Sequence, residues 1–186
     1  QIQVIPSMDM PGHSRAAIKS MEARYRTLMA ADKTEEAKQY LLSDSDDKTV
    51  YSSIQYYNDN TLNVCMESTF TFIDKVIDEI AALHKQAGVP LDLYHIGADE
   101  TAGAWIESPV CKAFIANNDK GVKSMDELGA YFIERTSQLL ANKGIEAAGW
   151  SDGMSHTRPE NMPKKVQSNI WDVVAHGGDK RAHQQA

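Results

Sequence analysis

The sequence has no long apolar run and little positive charge. Its 186 residues hold 19 Lys and Arg against 26 Asp and Glu, which gives a formal net charge of -7. No apolar stretch approaches the ~18 residues that a membrane-spanning helix needs, and the mean hydropathy is -0.45. Binding of nucleic-acid phosphates relies on clustered Lys and Arg, which this acidic chain lacks. These absences argue against a membrane-spanning protein and against a nucleic-acid-binding protein.

Cysteine is also scarce, since only Cys65 and Cys111 are present. By residue type alone, two buried free thiols and one disulfide of an exported protein both remain open. No signal peptide precedes the first pattern, because Gln1–Pro6 already has the composition of a buried strand. After Trp171 the chain passes into a polar, glycine-containing stretch without an obvious closing element. We therefore expect this sequence to be a fragment of a longer chain.

Strand-like and helix-like patterns alternate along the chain. Apolar residues recur at helical spacing in the predicted helices, and Gly88 and Pro90 mark the end of the strongest one. A capping box, Ser124 with Glu127, opens the last predicted helix. The predicted strands are 2–6, 91–97, 145–150 and 166–171, and the predicted helices are 14–30, 35–42, 67–87, 110–117 and 124–142. This alternation predicts an α/β fold with a parallel sheet and crossover helices.

Polar and aromatic residues follow each predicted strand, and they favour a barrel over a doubly wound sheet. The glycine-rich first turn that a doubly wound nucleotide-binding sheet usually carries is not visible. In a (β/α)8 barrel the loops after the strands converge on one face and form the active site. The residues concerned are Asp9, His13, Asp99, Glu100, Trp150, Asp152, Trp171 and Asp172. Four strands make half a barrel, so residues 1–186 are predicted to be part of one TIM-barrel catalytic domain.

The pair Asp99-Glu100 is the strongest candidate for catalysis. Adjacent acids are most often a solvated loop, but these two follow a buried strand and the small residues Gly97 and Ala98. Two carboxylates in one pocket raise the pKa of one of them, which suits a general acid. Trp150 closes the next strand; one tryptophan there is usually a core residue, but two at one mouth would form the wall of a sugar site. Carboxylates beside aromatic rings are typical of glycoside hydrolysis.

Four segments, taken together, resemble the family 20 glycoside hydrolases, the β-N-acetylhexosaminidases, and most of all their bacterial chitobiase branch. Asp9-Met10-Pro11-Gly12-His13 resembles the D-x-P-G-H motif, and His95-Ile96-Gly97-Ala98-Asp99-Glu100 resembles H-x-G-G-D-E. Gly149-Trp150-Ser151-Asp152-Gly153 and Asn169-Ile170-Trp171-Asp172 match the ends of the next two strands. The resemblance extends over essentially the whole chain, with the motifs in family order, and implies that the chain supplies barrel strands three to six.

The resemblance implies a retaining hydrolase that removes terminal, non-reducing N-acetylhexosamine from chitobiose-like substrates and needs no cofactor. The acetamido oxygen of the substrate attacks C1 and forms an oxazolinium ion, so the enzyme supplies no nucleophile. By motif position, Glu100 matches the general acid and base, Asp99 the carboxylate that orients the acetamide, and His13 a histidine beside the acid. The matches for substrate-binding residues are Trp150, Trp171, Asp9 and His95.

The chain also departs from the family pattern. Ala98 stands in place of the second glycine of H-x-G-G-D-E, and Ser7 stands where many relatives carry glutamate. The arginine that clamps the sugar in this family comes from a strand outside the matched region, and so do further aromatic contacts. We expect the 186-residue chain alone to be inactive for that reason.

The resemblance bears on the cysteines and on location as well. Chitobiase-like enzymes are exported, usually to the periplasm, and Cys65 and Cys111 correspond to positions that can pair there. We therefore expect a Cys65–Cys111 disulfide and a periplasmic or secreted protein. No metal site is predicted, since the i, i+4 spacing of His95 and Asp99 aligns ligands on a helix and not on a strand.

Two further expectations concern partners and alternatives. A half barrel leaves sheet edges unpaired, which predicts self-association of the chain. The alternative to an enzyme is a carbohydrate-binding or structural module that keeps the barrel shape without activity. Intact Asp99, Glu100 and His13 favour the enzyme, because a binding module has no need for a poised acid.

Overall fold

The computed structural model describes residues 2–101 and 103–185, and it confirms an α/β fold. Its helices and strands alternate as the periodicity of the sequence predicts. The strands are β1 (Ser7–Met10), β2 (Leu93–Gly97), β3 (Glu146–Trp150) and β4 (Val166–Asn169). The helices are α1 (Arg15–Ala30), α2 (Thr34–Lys38), α3 (Glu67–Gln86), α4 (Pro109–Asn117), α5 (Leu128–Asn142), α6 (Ser151–Met154) and α7 (Gly178–Gln185). None of the described helices is long and apolar enough to cross a membrane.

The four strands form one parallel sheet in the order β1-β2-β3-β4. His95 of β2 lies between Ser7 of β1 and Ala148 of β3 in the register of the sheet. Because all strands run the same way, their carboxyl ends meet at one edge. The sheet is consistent with part of a barrel, and that edge carries the loops in which the sequence places the candidate site.

The two faces of the sheet differ in polarity. Successive side chains of a strand point to opposite faces. One face carries Tyr94 and Ile96, which have no exposed surface and belong to the hydrophobic core with Ile73 and Ile77 of α3 and Phe132 of α5. The opposite face is largely polar, with Ser7, Asp9, His95, Trp150, Gln167 and Asn169. Helices α3 and α5 therefore cover the apolar face, and the polar face lies on the side away from them.

The predicted buried strand at 2–6 is wrong for the part that the structure describes. The first strand is β1, and Ile2 and Val4 are 91% and 74% exposed. Only Pro6 joins the ladder, since its carbonyl accepts a hydrogen bond from the His95 amide at 3.0 Å. Apolar composition alone placed the strand too early, because nothing in the described chain packs against Ile2 and Val4. Gln1 lies outside the described residues.

Several other boundaries differ from the prediction. Helix α2 ends at Lys38 instead of 42, and β4 ends at Asn169, so Trp171 follows the strand by two residues. The segment after Trp171 contains helix α7, although no closing element was expected there. The Ser124 hydroxyl makes no capping bond, and a short 3-10 turn precedes α5. Glu127 still acts at this helix start, because its carboxylate accepts the Lys123 amide at 2.7 Å.

A disulfide joins Cys65 and Cys111, as the family resemblance implies. It connects the turn before α3 to α4, with Cys111 fully buried. Asp44 supports the same helix start, since its carboxylate accepts the Ser108 hydroxyl at 2.7 Å and the Val110 amide at 3.3 Å. The acidic loop around Asp44 therefore supports the start of α4.

Candidate active site

Three titratable side chains meet at the carboxyl ends of β1 and β2. The Nε2 atom of His13 lies 3.4 Å from Oδ2 of Asp99 and 3.3 Å from Oε2 of Glu100. Each of these side chains is between 15% and 25% exposed, so all three remain reachable from solvent. The structure thus brings together the three residues predicted to be catalytic.

Close backbone approach explains the glycines on both sides of this cluster. A Cβ atom on Gly12 would lie 2.6 Å from the carbonyl oxygen of Glu100. A Cβ on Gly97 would lie 2.6 Å from the Cα of Asp9, and Gly97 has a φ of +76°. The loop after β1 therefore rests directly on the loop after β2, which fixes His13 relative to the two acids.

The backbone of the cluster is strained. His13, Ala98 and Glu100 have φ values of 53°, 71° and 36°, in the left-handed region that residues with a Cβ disfavour. Such conformations cost energy and persist only where the surrounding structure enforces them, which occurs often at functional sites. Ala98 occupies this conformation while 96% buried, at the position where the family motif has glycine. Its methyl group faces Gly149, where an added Cβ would be only 3.2 Å away.

Asp99 is the acid whose protonation the structure disturbs. Burial raises the pKa of its carboxyl, the nearby His13 opposes this shift, and the negative charges of Asp9 and Asp152 add to it. Its Oδ1 atom is buried without a hydrogen-bond partner among the described residues. A carboxyl group in this setting has one oxygen available to a ligand.

Glu100 has a polar neighbour that sequence reasoning missed. The side-chain amide of Gln55 donates to Oε2 of Glu100 at 3.3 Å. Gln55 comes from the irregular segment between α2 and α3, far from any strand end, and no local pattern singles it out. Only the folded chain brings it to the acid.

The two predicted aromatic walls have different settings. Trp150 ends β3, and its ring lies edge-to-face with His95 at 4.8 Å between centroids. Trp171 is 54% exposed, and its indole nitrogen donates to Oδ1 of Asp152 at 2.9 Å. Asp152 was placed by the sequence at a strand end but given no role, and the structure shows that it holds Trp171.

The remaining predicted substrate-binding residues are Asp9 and His95. Asp9 is half-buried in β1 beside Gly97. His95 is 92% buried, and its Nδ1 accepts the Gly97 amide at 3.2 Å. Burial lowers the pKa of His95, which the charges of Asp9 and Asp99 oppose. His95 therefore lies beneath Trp150 in the sheet and not on the open surface of the site.

A cavity of about 320 Å³ adjoins the two acids. It lies between the loop after β2, the start of α5 and helix α6, and Asp99, Glu100, Trp105 and Asp152 are among its lining residues. Trp105 is 95% buried, and its indole nitrogen donates to the Leu62 carbonyl at 2.9 Å. A small organic group fits in a space of this size.

The same cluster has the donor set for a divalent metal. His13, Asp99 and Glu100 each offer one ligand atom, and the three atoms lie within 4.8 Å of one another. Imidazole and carboxylate are common metal ligands. The expectation that no metal is used therefore stays a prediction, which metal removal can test.

Comparison with known proteins agrees with this geometry. Residues 1–186 match the model of the glycosyl hydrolase family 20 catalytic domain. Beta-hexosaminidase B of Pseudoalteromonas piscicida is 60% identical over 168 residues, which is 90% of this chain and 21% of that protein. Beta-hexosaminidase of Vibrio vulnificus is 54% identical, over 95% of this chain and 21% of that protein. The chain thus spans about a fifth of the length of these relatives.

A solved structure shows the same fold over most of the chain. The exo-β-N-acetylglucosaminidase of Vibrio harveyi, crystallised with N-acetylglucosamine, matches with a TM-score of 0.70 and 32% identity. The match covers 97% of this chain and 24% of that one. With the family model matching from end to end, this chain belongs to glycosyl hydrolase family 20.

Proposed function

We propose that this chain is part of the catalytic domain of a β-N-acetylhexosaminidase. The enzyme removes terminal, non-reducing N-acetylhexosamine from chitobiose and related chitooligosaccharides. One observation carries the proposal: His13, Asp99 and Glu100 converge at one edge of a parallel sheet in a chain of this family. In this proposal the four strands are strands three to six of the barrel, an assignment that the order of the motifs supports.

The proposed mechanism is substrate-assisted and retains the anomeric configuration. Glu100 donates a proton to the glycosidic oxygen as the acetamido oxygen of the substrate attacks C1. Asp99 accepts a hydrogen bond from the acetamide nitrogen, and its unpartnered Oδ1 supports this role. Glu100 then removes a proton from the water that opens the oxazolinium ion. His13 Nε2 lies 3.3 Å from Oε2 of Glu100, within hydrogen-bonding distance of the proposed acid.

The walls of the proposed sugar site come from Trp150 and Trp171. Trp150 ends β3 and Trp171 follows β4, and the carboxyl ends of these strands lie at the same edge of the sheet as the acids. Asp152 holds the Trp171 indole by its nitrogen, which leaves the ring face available for a sugar. The Cys65–Cys111 disulfide supports a periplasmic or secreted location, because such bonds persist in oxidising compartments.

The test is hydrolysis of 4-nitrophenyl N-acetyl-β-glucosaminide by the longer parent chain and by the 186-residue chain. We expect turnover by the parent only, because the sugar-clamping strands lie outside this segment. Glu100→Gln in the parent should lower kcat by about 10²–10⁴-fold, the usual contribution of a general acid. Glu107→Gln is the matched control, since Glu107 is an exposed glutamate that forms an ion pair with Lys112.

Four outcomes would change the proposal. Turnover by the 186-residue chain, lost on Glu100→Gln, would show that the segment is complete enough to act. A parent that binds N-acetylglucosamine without hydrolysing any N-acetylhexosaminide would favour the alternative, a carbohydrate-binding module. Loss of activity with a chelator, restored by a divalent metal, would replace the metal-free mechanism. Cleavage of the matching 2-hydroxy glucoside at the same rate would exclude participation of the acetamide.

A further inference from the structure

His95 occupies a central place on the polar face of the sheet. It pairs with Ser7 on one side and Ala148 on the other, and only 8% of the residue is exposed. A buried histidine in this position cannot reach a sugar in the open part of the site. The sequence predicts that His95 binds substrate, whereas its burial favours an indirect role through a neighbouring side chain.

One edge of the imidazole is fixed by hydrogen bonds. The Gly97 amide donates to Nδ1 at 3.2 Å, and the Ser7 hydroxyl lies 3.4 Å from the same atom. An Nδ1 that accepts a backbone N–H carries no proton, so the neutral ring has its proton on Nε2. That Nε2 atom is buried and has no hydrogen-bond partner among the described residues. The ring orientation is thus set from the Nδ1 side alone.

The fixed ring packs against Trp150. The two ring centroids are 4.8 Å apart and the planes cross at 66°, an edge-to-face arrangement that aromatic pairs prefer. Trp150 is the last residue of β3, where the strand gives way to helix α6. Its indole has the imidazole as a rigid neighbour on the side toward β2. A different ring angle at His95 would change the space available to the indole.

We propose that His95 is a positioning residue that holds the Trp150 indole through edge-to-face contact. Gly97 and Ser7 fix the imidazole, and the imidazole fixes the indole. Its consequence for sugar binding rests on the proposed function, whereas the contact between the two rings does not. Ser7, which stands where many relatives carry glutamate, is one of the two groups that fix the imidazole.

Two substitutions separate the ring from its hydrogen bond. His95→Asn keeps an acceptor near the position of Nδ1 for the Gly97 amide but removes the ring. His95→Phe keeps a ring against Trp150 but leaves the Gly97 amide without its acceptor. A role confined to satisfying the backbone predicts that Phe is the more disruptive change. A positioning role predicts that Asn displaces the indole more than Phe does.

Fluorine NMR of the 186-residue chain labelled with 5-fluorotryptophan reports on the indole directly. The chain has three tryptophans, and Trp150→Phe assigns the resonance in question. We expect His95→Asn to shift or broaden the Trp150 resonance and His95→Phe to leave it closer to the wild type. The Trp105 resonance should keep its position in both variants. An unchanged Trp150 resonance in His95→Asn would overturn the proposal, and so would a larger change in His95→Phe.

A titration of the wild-type chain, with His95→Asn as its control, is a second test of the contact. Protonation of the imidazole places a positive charge at the edge of the indole. Because burial lowers the pKa of His95, the Trp150 resonance should shift with a midpoint below 6.5. The carboxyl groups of Asp9 and Asp99 also lie close enough to act on His95 electrostatically, so the step must vanish in His95→Asn. A step that persists in that variant would assign the signal to the carboxylates and count against the contact.

Kinetics of the parent chain then test the consequence for the sugar. His95→Asn should lower kcat/KM about tenfold, mainly through KM, because a misplaced wall weakens binding of substrate and transition state alike. His95→Phe should recover most of that loss, and His183→Asn, an exposed histidine of α7, is the control. A loss confined to kcat, or no recovery with Phe, would contradict a positioning role. If the wild-type parent turns over no N-acetylhexosaminide, the proposed function fails, while the fluorine data still decide the contact between the rings.

Discussion

Two acids of this molecule, the buried Glu134 and the partly buried Asp99, have opposite environments. Glu134 of α5 is 4% exposed and accepts hydrogen bonds from the Arg158 amide at 2.8 Å and the Arg158 guanidinium at 2.6 Å. The side-chain amide of Asn161 adds a further bond at 2.9 Å. Asp99 has the His13 imidazole 3.4 Å from its Oδ2, and its Oδ1 is without a partner in the described chain.

The pKa values of these two acids shift in opposite directions. Burial opposes ionisation of Glu134, but the hydrogen bonds from Arg158 and Asn161 outweigh it and lower the pKa. Burial raises the pKa of Asp99, and His13 compensates only in part. A carboxylate with all its bonds made stabilises the fold, whereas one left incomplete is available for a ligand. The two acids therefore differ in their partners: Glu134 has a structural role, and Asp99 is the candidate for a functional one.

The largest expected effect concerns the close approach of Gly97 to Asp9, beside the candidate site that contains Asp99. Gly97→Ala would place a Cβ 2.6 Å from the Asp9 Cα at a φ of +76°. Overpacking and the left-handed backbone together should lower the free energy of unfolding by about 2–5 kcal/mol. Urea denaturation would measure it.

Gly88→Ala is the matched control for that substitution. Gly88 has a φ of +68°, and nothing lies within 4 Å of an added Cβ. It should lose only the backbone contribution, about 1–2 kcal/mol. Equal losses at the two glycines would show that the contact between the two loops is unimportant.

The next largest effect should come from breaking the ion pair between Arg158 and Glu134. Arg158→Met removes the cation and leaves Glu134 buried without it. Breaking a buried ion pair costs about 3–5 kcal/mol, and we expect the lower end because the Arg158 side chain is 30% exposed. Arg158→Met combined with Glu134→Leu should recover much of the loss. A double variant no more stable than the single one would mean that Arg158 acts through its other contacts.

The smallest expected effects are the changes in stability with pH that the two acids cause. Glu134 has a lowered pKa, so its contribution is present above the ordinary value of 4.5 and is lost as the pH falls through the folded-state pKa. Asp99 has a raised pKa, so its destabilising effect begins as the pH rises above the ordinary value of 3.8 and is fully present above the folded-state pKa. At pH 7, Glu134→Gln should therefore lower stability and Asp99→Asn should raise it.

Denaturation curves at pH 7 and pH 3 measure this difference in sign. Both differences from the wild type should shrink at pH 3, because the carboxyl groups are then largely protonated in the unfolded state and less of either ionisation effect remains. If both variants gain stability at pH 7, or both lose it, the assignment of a structural role to Glu134 and a functional role to Asp99 is contradicted.

The sequence predicts the candidate site of His13, Asp99 and Glu100 better than it predicts the Glu134–Arg158 ion pair. His13, Asp99 and Glu100 belong to short motifs at strand ends, so parallel topology was enough to bring them together. Glu134 and Arg158 lie 24 residues apart and match no local pattern, so only packing of α5 against the loop after α6 pairs them. The disulfide was expected from the resemblance, and residue counting alone left it open.

Other features were invisible because they depend on contacts with no sequence period. The left-handed backbone at Ala98 and Glu100 is imposed by neighbouring loops, although neither residue type favours it. Gln55 comes to the acid from an irregular segment. The first strand was placed too early because apolar residues at 2–5 have the composition of a strand but pair with nothing in the described chain.

The Cys65–Cys111 bond also determines how this protein must be handled in the laboratory. It closes a loop with a sequence separation of 46 residues. In the chain-entropy model, such a crosslink stabilises the fold by about 4 kcal/mol, a large part of the stability of a domain this size. Protein produced in a reducing cytoplasm would start without that contribution. A preparation found inactive should therefore be checked for free thiols before its inactivity is attributed to missing strands.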